Sequence, residues 1–304
     1  MPPSSAFAIV AGLVSAGLYL SLLSGLPGMV VIAYFVQLPL MVTGFCLGAG
    51  ATVMAAAGGI VATGLIAGIV AAALFAVIQS APAVFVVRQA LLSREVDGRT
   101  EWFPAGLLLA QLTIVAALAV VVGFVAFLGE PEGLKGAVES YLIAALETFA
   151  GSFEGELPVS EVRGWSFLIP GLMAVSWLLM TLINGILAQA LAVRLGWNRR
   201  PWPALVELEL PWWLWPALGG AALLALIGGD AGFGYLGRAT IVVLIVPYVL
   251  LGLTVVHAWA GRRSHPRMML SAVYLSLLLL GWPILLVILL GFAEDSVGLR
   301  QRFT

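Results

Sequence analysis

Five side-chain amides stand inside long apolar runs of this chain: Gln37, Gln79, Gln111, Asn184 and Gln189. An amide carries donors and acceptors together and is costly against lipid, so it faces other helices or a cavity. Two readings of the set compete. One is hydrogen bonding between helices, at about 1 kcal/mol or less for each bond. The other is the polar lining of a ligand pocket. Arg88 adds a cation, six residues after Pro82. A guanidinium at mid-bilayer costs at least ~2.5–3.5 kcal/mol. Arg88 therefore either reaches the interface along its aliphatic stem or serves as the cation of a pocket in the inner half of the membrane. The ligand-binding candidates are Gln37, Gln79 and Arg88, with Asn184 and Gln189 second.

Enzymatic chemistry finds little to work with. The histidines are His257 and His265, with no HExxH pair, and there is no GxSG for a membrane serine protease. The aspartates Asp97, Asp230 and Asp295 all read as loop-borne, so no intramembrane pair of aspartates is expected. A Walker A loop is absent. Gly232–Gly237 spells GxGxxG, but it links two apolar helices with no strand before it, which is the wrong context for a nucleotide loop. No catalytic residue, metal ligand or cofactor is assigned, and the chain is not read as an enzyme. No acidic residue falls well inside a predicted span, which argues against coupling of transport to a proton or sodium ion by a carboxylate.

The elements that position these residues follow from composition. Apolar residues make up 62% of the chain and charged residues 10%, against roughly 45–50% and 25% in soluble domains. The chain is an integral membrane protein, and its net charge of −1 offers nothing to nucleic acid. No charge precedes Arg88. Apolar runs and their punctuation predict helices near 6–24, 28–43, 44–64, 66–91, 104–128, 166–194, 211–229, 236–260 and 268–292. The breaks near 43 and 65 carry no polar loop, so the count is eight or nine. Arg94 and Arg99, then Arg199 and Arg200, then Arg262, Arg263 and Arg267 place three loops on the cytoplasmic side. The segment 129–165 lies opposite, carrying Glu130, Glu132, Glu139, Glu147, Glu154, Glu156 and Glu161. Within it Leu134, Val138, Tyr141, Leu142, Ala145, Leu146 and Phe149 recur at helical spacing, which predicts an amphipathic helix at the outer interface. Five tryptophans, Trp197, Trp202, Trp212, Trp213 and Trp215, accompany Arg199 and Arg200 in an interfacial anchor.

Small residues complete the pattern. Ala8, Gly12 and Ala16 repeat every fourth position in the first helix, and Ala51, Ala55 and Gly59 do so in the third. Such rows let helix backbones approach closely in lipid. The third-helix row reads as internal packing. The first-helix row could instead dock a partner membrane protein.

Taken in order, "YFVQLPLMVTGFCLGAG", the glycine-rich helices after it, the external insert, "NRRPWPALVELELPWW" and "LLGLTVVHAWAGRR" resemble an uncharacterised bacterial membrane family, domain-of-unknown-function family 2232. The resemblance spans residues 6–292. That family is similar to the substrate-binding S components of energy-coupling-factor vitamin transporters, which bind a ligand near the outer side. They dock a coupling protein through small residues of the first helix. The resemblance implies such a face at Ala8, Gly12 and Ala16. S components have about six helices, fewer than this chain, so a shared coupling mechanism does not follow.

The expectation is thus an all-α, polytopic transmembrane bundle of eight or nine helices plus one extracytoplasmic amphipathic helix. Residues 1–128 form a small-residue-rich bundle, 129–165 the external segment and 166–304 the C-terminal membrane helices. The function expected is a transporter-like, substrate-binding component of the bacterial inner membrane, with the lipid bilayer, a small-molecule substrate and a membrane protein as partners. The alternative is a non-transporting membrane scaffold.

Overall fold

A computed structural model describes residues 4–26, 28–150, 159–203 and 208–302. Glu154 and Glu156, the middle of the Trp-rich junction and the Phe149 side chain lie outside the described residues. Helices dominate: α1 (Ser4–Leu20), α2 (Met29–Ala33), α3 (Leu38–Leu47), α4 (Ala49–Leu74), α5 (Ala81–Ala90), α6 (Ala105–Ala126), α7 (Gly133–Ala150), α8 (Val159–Trp165), α9 (Leu168–Leu195), α10 (Leu214–Ile227), α11 (Phe233–Leu244), α12 (Val246–Gly261), α13 (Pro266–Leu280) and α14 (Pro283–Val297). Six helical stretches are long and apolar enough to cross a membrane: Ser5–Leu23, Met29–Leu47, Ala49–Ala90, Ala105–Ala126, Leu168–Leu195 and Phe233–Gly261. The chain is a multi-pass membrane protein.

It divides into two compact units, 1–108 with 179–204 and 109–178 with 205–304. The boundaries fall inside α6 and α9, whereas the sequence suggested divisions at 128 and 165.

In the first unit the chain reverses twice on a single glycine. Gly48 (φ 109°, ψ 165°) separates α3 from α4, and Gly68 (φ 87°, ψ 174°) interrupts α4. A Cβ on Gly64 would meet the Ala72 Cβ at 3.3 Å. In a straight helix those residues stand about 12 Å apart along the axis, so the chain folds back on itself. Gly44 and Thr52 meet across Gly48 in the same way. Both reversals end a Thr-Gly-x-x-x-Gly run, 43–48 and 63–68. The weak breaks expected near 43 and 65 therefore fall at 48 and 68. No polar loop marks them, because one residue with a conformation open almost only to glycine makes the whole turn.

Two segments preceding prolines lose α-helical geometry. Residues 34–37 form a turn before Pro39, and Phe75–Ser80 is a π-helix before Pro82. Proline removes the donor to the carbonyl four residues earlier and crowds it.

The rows of small residues meet each other. A Cβ on Gly12 would fall inside the Ala55 carbonyl and at 3.0 Å from the Gly59 nitrogen, and Ala8 and Ala16 are buried. The face predicted to dock a partner is thus occupied by α4 of the same chain. Close backbone approach in lipid brings dispersion contacts that larger residues would forbid.

Residues 92–103, expected as a loop, hold the one strand pair among the described residues. Ser93–Val96 (β1) and Arg99–Trp102 (β2) are antiparallel, with Arg94 opposite Glu101 and an ion pair of 2.8 Å between them. The turn is Asp97–Gly98, both at positive φ, a two-residue hairpin connection that Asp-Gly favours.

In the second unit α10 and α11 form an antiparallel hairpin. Gly237 abuts Ala221 and Ala225, and Gly234 abuts Gly228 and Gly229. Gly234 and Gly237 of the GxGxxG run serve this packing, while Gly232 turns the chain at positive φ. Gly252 abuts the Val287 carbonyl, and Gly291 abuts that of Tyr248, so α12 and α14 are antiparallel as well. The helix expected over 268–292 is two helices, split at Gly281 (φ 69°) and restarted by Pro283. Tyr274, midway along α13, touches His257 near the end of α12, and α14 starts near that same level. By this placement α13 crosses α12 instead of running beside it. Helix α7 forms where the external amphipathic helix was expected, with Leu134 buried but Tyr141 exposed.

Candidate functional site

The irregular segments of the first unit converge. Pro82 withholds a donor from the Ile78 carbonyl, and Gln37 Nε2 donates to that oxygen at 3.3 Å. The turn before Pro39 releases further carbonyls. Asn184 Nδ2 of α9 donates to Tyr34 O at 2.7 Å and to Met180 O on its own helix at 2.7 Å. Ser15 Oγ of α1 donates to Val36 O at 2.5 Å, and Leu38 N–H to Phe35 O at 3.1 Å. Two helices, α1 and α9, and the turn residue Gln37 thus supply side-chain donors to irregular backbone. Gln37 lies ten residues before Leu47, and Gln79 eleven after Gly68, about 15 Å from either reversal. The site is at mid-depth of this unit, where irregular backbone persists only if shielded.

The amide assignment follows from chemistry. Carbonyls have no hydrogen to give, so the nitrogens of Gln37 and Asn184 must face them. Their oxygens are left over. Gln37 Oε1, Asn184 Oδ1 and Gln79 Oε1 are buried without a partner, as are the hydroxyls of Ser80 and Thr181. Ser80 adjoins Gln79 in the π-helix, and Thr181 lies one turn before Asn184. Three amide oxygens thus lack a donor, and the two hydroxyls can each donate or accept. A buried unpartnered polar atom costs about 1–3 kcal/mol, and π-helical insertions recur at functional sites.

The other sequence candidates fall elsewhere. Arg88 is exposed on the last turn of α5, about 13 Å along the helix from Gln79. Its guanidinium reaches outward and is not part of the cluster. Gln189 donates from Nε2 to Arg200 O at 2.8 Å, near the end of α9. Of the five candidates, Gln37 and Asn184 both bond the irregular backbone, and Gln79 adjoins the Ile78 carbonyl that Gln37 reaches. Ser15, Ser80 and Thr181 were missed, because a serine or threonine in an apolar run usually bonds its own preceding turn and sends no signal of its own.

Arg199 and Arg200 cap helix ends. The Arg199 guanidinium lies over Gly48, where a Cβ would meet it at 3.2 Å, and the Arg199 backbone N–H donates to Phe45 O at 3.0 Å. Arg200 is buried and donates to Ala90 O at 2.9 Å and Phe103 O at 3.0 Å, with its guanidinium 5.9 Å from the Trp102 ring centre. Burial pulls it below the usual arginine range. A cation at the C-terminal end of a helix opposes the negative end of the dipole, so the pair fixes the ends of α3 and α5 from one loop. Beside them the hairpin root encloses a 410 Å³ open pocket lined by Arg94, Trp102 and Leu107 among others.

Among the described residues no group of three His, Cys, Asp or Glu side chains could hold a metal ion. No protein-family model, curated protein or solved structure matches this chain.

Proposed function

We propose that the chain is a transporter-like membrane component that binds a small solute at the Gln37–Gln79–Asn184 cluster, in a bacterial inner membrane with eight or nine crossings. The observation that carries this reading is the set of amide oxygens left without donors where two helices break. Such oxygens suit a solute presenting N–H or O–H groups, or a cation that carbonyl-type oxygens can solvate. Helices packed only for stability gain nothing from three buried acceptors without partners. The resemblance to S components points the same way. It also implies a coupling protein at the first helix. Against that part, Gly12 already packs on α4, and Ala8 and Ala16 are buried. A scaffold reading loses its main face for the same reason.

A thermal-shift panel on purified protein in detergent tests the proposal. It sets amines, polyols, nucleobases, vitamins and monovalent cations against ethers of similar size that only accept. A donor-bearing class or a cation should stabilise the protein, and Gln37→Leu or Asn184→Leu should abolish the shift. If no class stabilises it, or if the shift survives both substitutions, the proposal fails.

A further inference from the structure

The second unit contains carboxylates where the sequence predicts none. Phe233–Gly261 is a continuous apolar stretch, and Tyr248 lies near its middle, about 20 Å from either end. Gly291 of α14 packs on Tyr248, so the last turn of α14, with Glu294 and Asp295, stands at that same level. Exposed apolar side chains flank the level on both sides. Leu226 and Ile227 lie toward the Phe233 end, and Leu285 and Leu289 toward the Gly261 end. These two carboxylates therefore stand beside the middle of that long apolar stretch, on α14 and not on a loop, and Trp215, expected at the interface, lies at the same level.

Their charges are not balanced. Glu294 is buried and held by Arg300, through Nε at 2.6 Å and the backbone N–H at 2.7 Å, while Arg300 Nη2 donates to Leu208 O at 2.6 Å. That pair is neutral as a unit. Asp295 receives one hydrogen bond, from Trp215 Nε1 of α10 at 2.5 Å, and no cation among the described residues pairs with it. The Tyr248 ring packs on Trp215 and Phe292, with centroids 5.4 and 4.5 Å away. The tyrosine is fully buried, its hydroxyl has no partner, and the Asp295 charge acts on it. An unpaired carboxylate beside a second carboxylate in a medium of low polarity takes up a proton to become neutral.

We infer that Asp295, with Tyr248 beside it, is a proton-binding site level with the middle of the long apolar stretch of the second unit. The Tyr248 hydroxyl stands ready to accept a hydrogen bond from the acid or donate one to the anion. Trp215 holds one oxygen of Asp295, and Arg300 is taken up by Glu294 and the Leu208 carbonyl. This gives the chain its own means of sensing a proton gradient, and it does not depend on a solute at Gln37.

Infrared spectra of the protein in liposomes test it. Near neutral pH the wild type should show a protonated-carboxyl C=O band that Asp295→Asn removes and that rising pH bleaches. Trp215→Phe should move the band to higher frequency, because one hydrogen bond to it is lost, and this variant keeps the test alive if Asp295→Asn does not fold. A neutral-pH spectrum unchanged by Asp295→Asn overturns the inference. So does bleaching of the band by sodium, but not by potassium, at fixed pH, which would make the site a metal-cation site.

Discussion

Replacing Gly68 with alanine tests the reversal on which the arrangement of the first unit depends. At φ 87° and ψ 174° an L-residue is strained, at a cost of about 1–3 kcal/mol. No atom lies within 4 Å of a Cβ built there, so the cost is pure backbone strain with no clash to confuse it. Gly17 is the matched control. It is also in a helix with nothing within 4 Å, but has ordinary helical geometry, and alanine should stabilise it by about 0.5–1 kcal/mol. The two variants should therefore differ by roughly 1.5–4 kcal/mol, at least about 10-fold in the unfolding equilibrium. Reversible denaturation in mixed micelles measures that difference. Gly68→Asn sharpens the result. Asparagine tolerates the left-handed helical region, as at Gly25 (φ 68°, ψ 4°), but not the extended positive-φ region of Gly68. Gly25→Asn should be mild and Gly68→Asn as severe as alanine. If Gly68→Ala matches Gly17→Ala, residues 49–90 do not reverse at Gly68 and the arrangement of the first unit given above is wrong.

Three further outcomes are expected. Gly12→Ala forces a methyl into the Ala55 carbonyl and should cost ~1–3 kcal/mol, while Gly58→Ala, with its nearest neighbour at 4.0 Å, should be nearly neutral in the same micelle assay. Asn184→Leu leaves the Tyr34 carbonyl without its donor and should destabilise by ~1–2 kcal/mol; Asn184→Leu as stable as wild type would show that water or another group already serves that oxygen. Reporter fusions at 98, 150, 198 and 264 should read inside, outside, inside, inside, and an outside reading at 198 would reverse the orientation drawn from the arginines.

What the sequence revealed, and what it hid, divides along a physical line. Period and residue type report on single helices. Hence the apolar stretches, the small-residue rows on α1 and α4, and the buried amides Gln37 and Asn184 were all legible, since each is costly or empty unless another helix covers it. The destination of a donor is a tertiary fact. Nothing local distinguishes Arg200, which caps the end of α5, from Arg88, which points outward. The same holds for Asp295. It reads as loop-borne because it precedes a charged tail, yet the packing of Gly291 on Tyr248 draws that tail to the middle of a long helix. Turns were hidden for a different reason. A polar loop announces itself by composition, whereas Gly48 and Gly68 reverse the chain by backbone conformation alone. Proline was the most informative residue throughout. The irregular backbone before Pro39 and Pro82 presents carbonyls to other segments, and Gln37, Asn184 and Ser15 donate to three of them. Using amide nitrogens to repair backbone is what strands the amide oxygens. A serine that donates to a carbonyl keeps its acceptor lone pairs on the same oxygen, beside the bond it makes; glutamine and asparagine hold a separate oxygen away from that bond, and this is the feature that points beyond packing to a ligand.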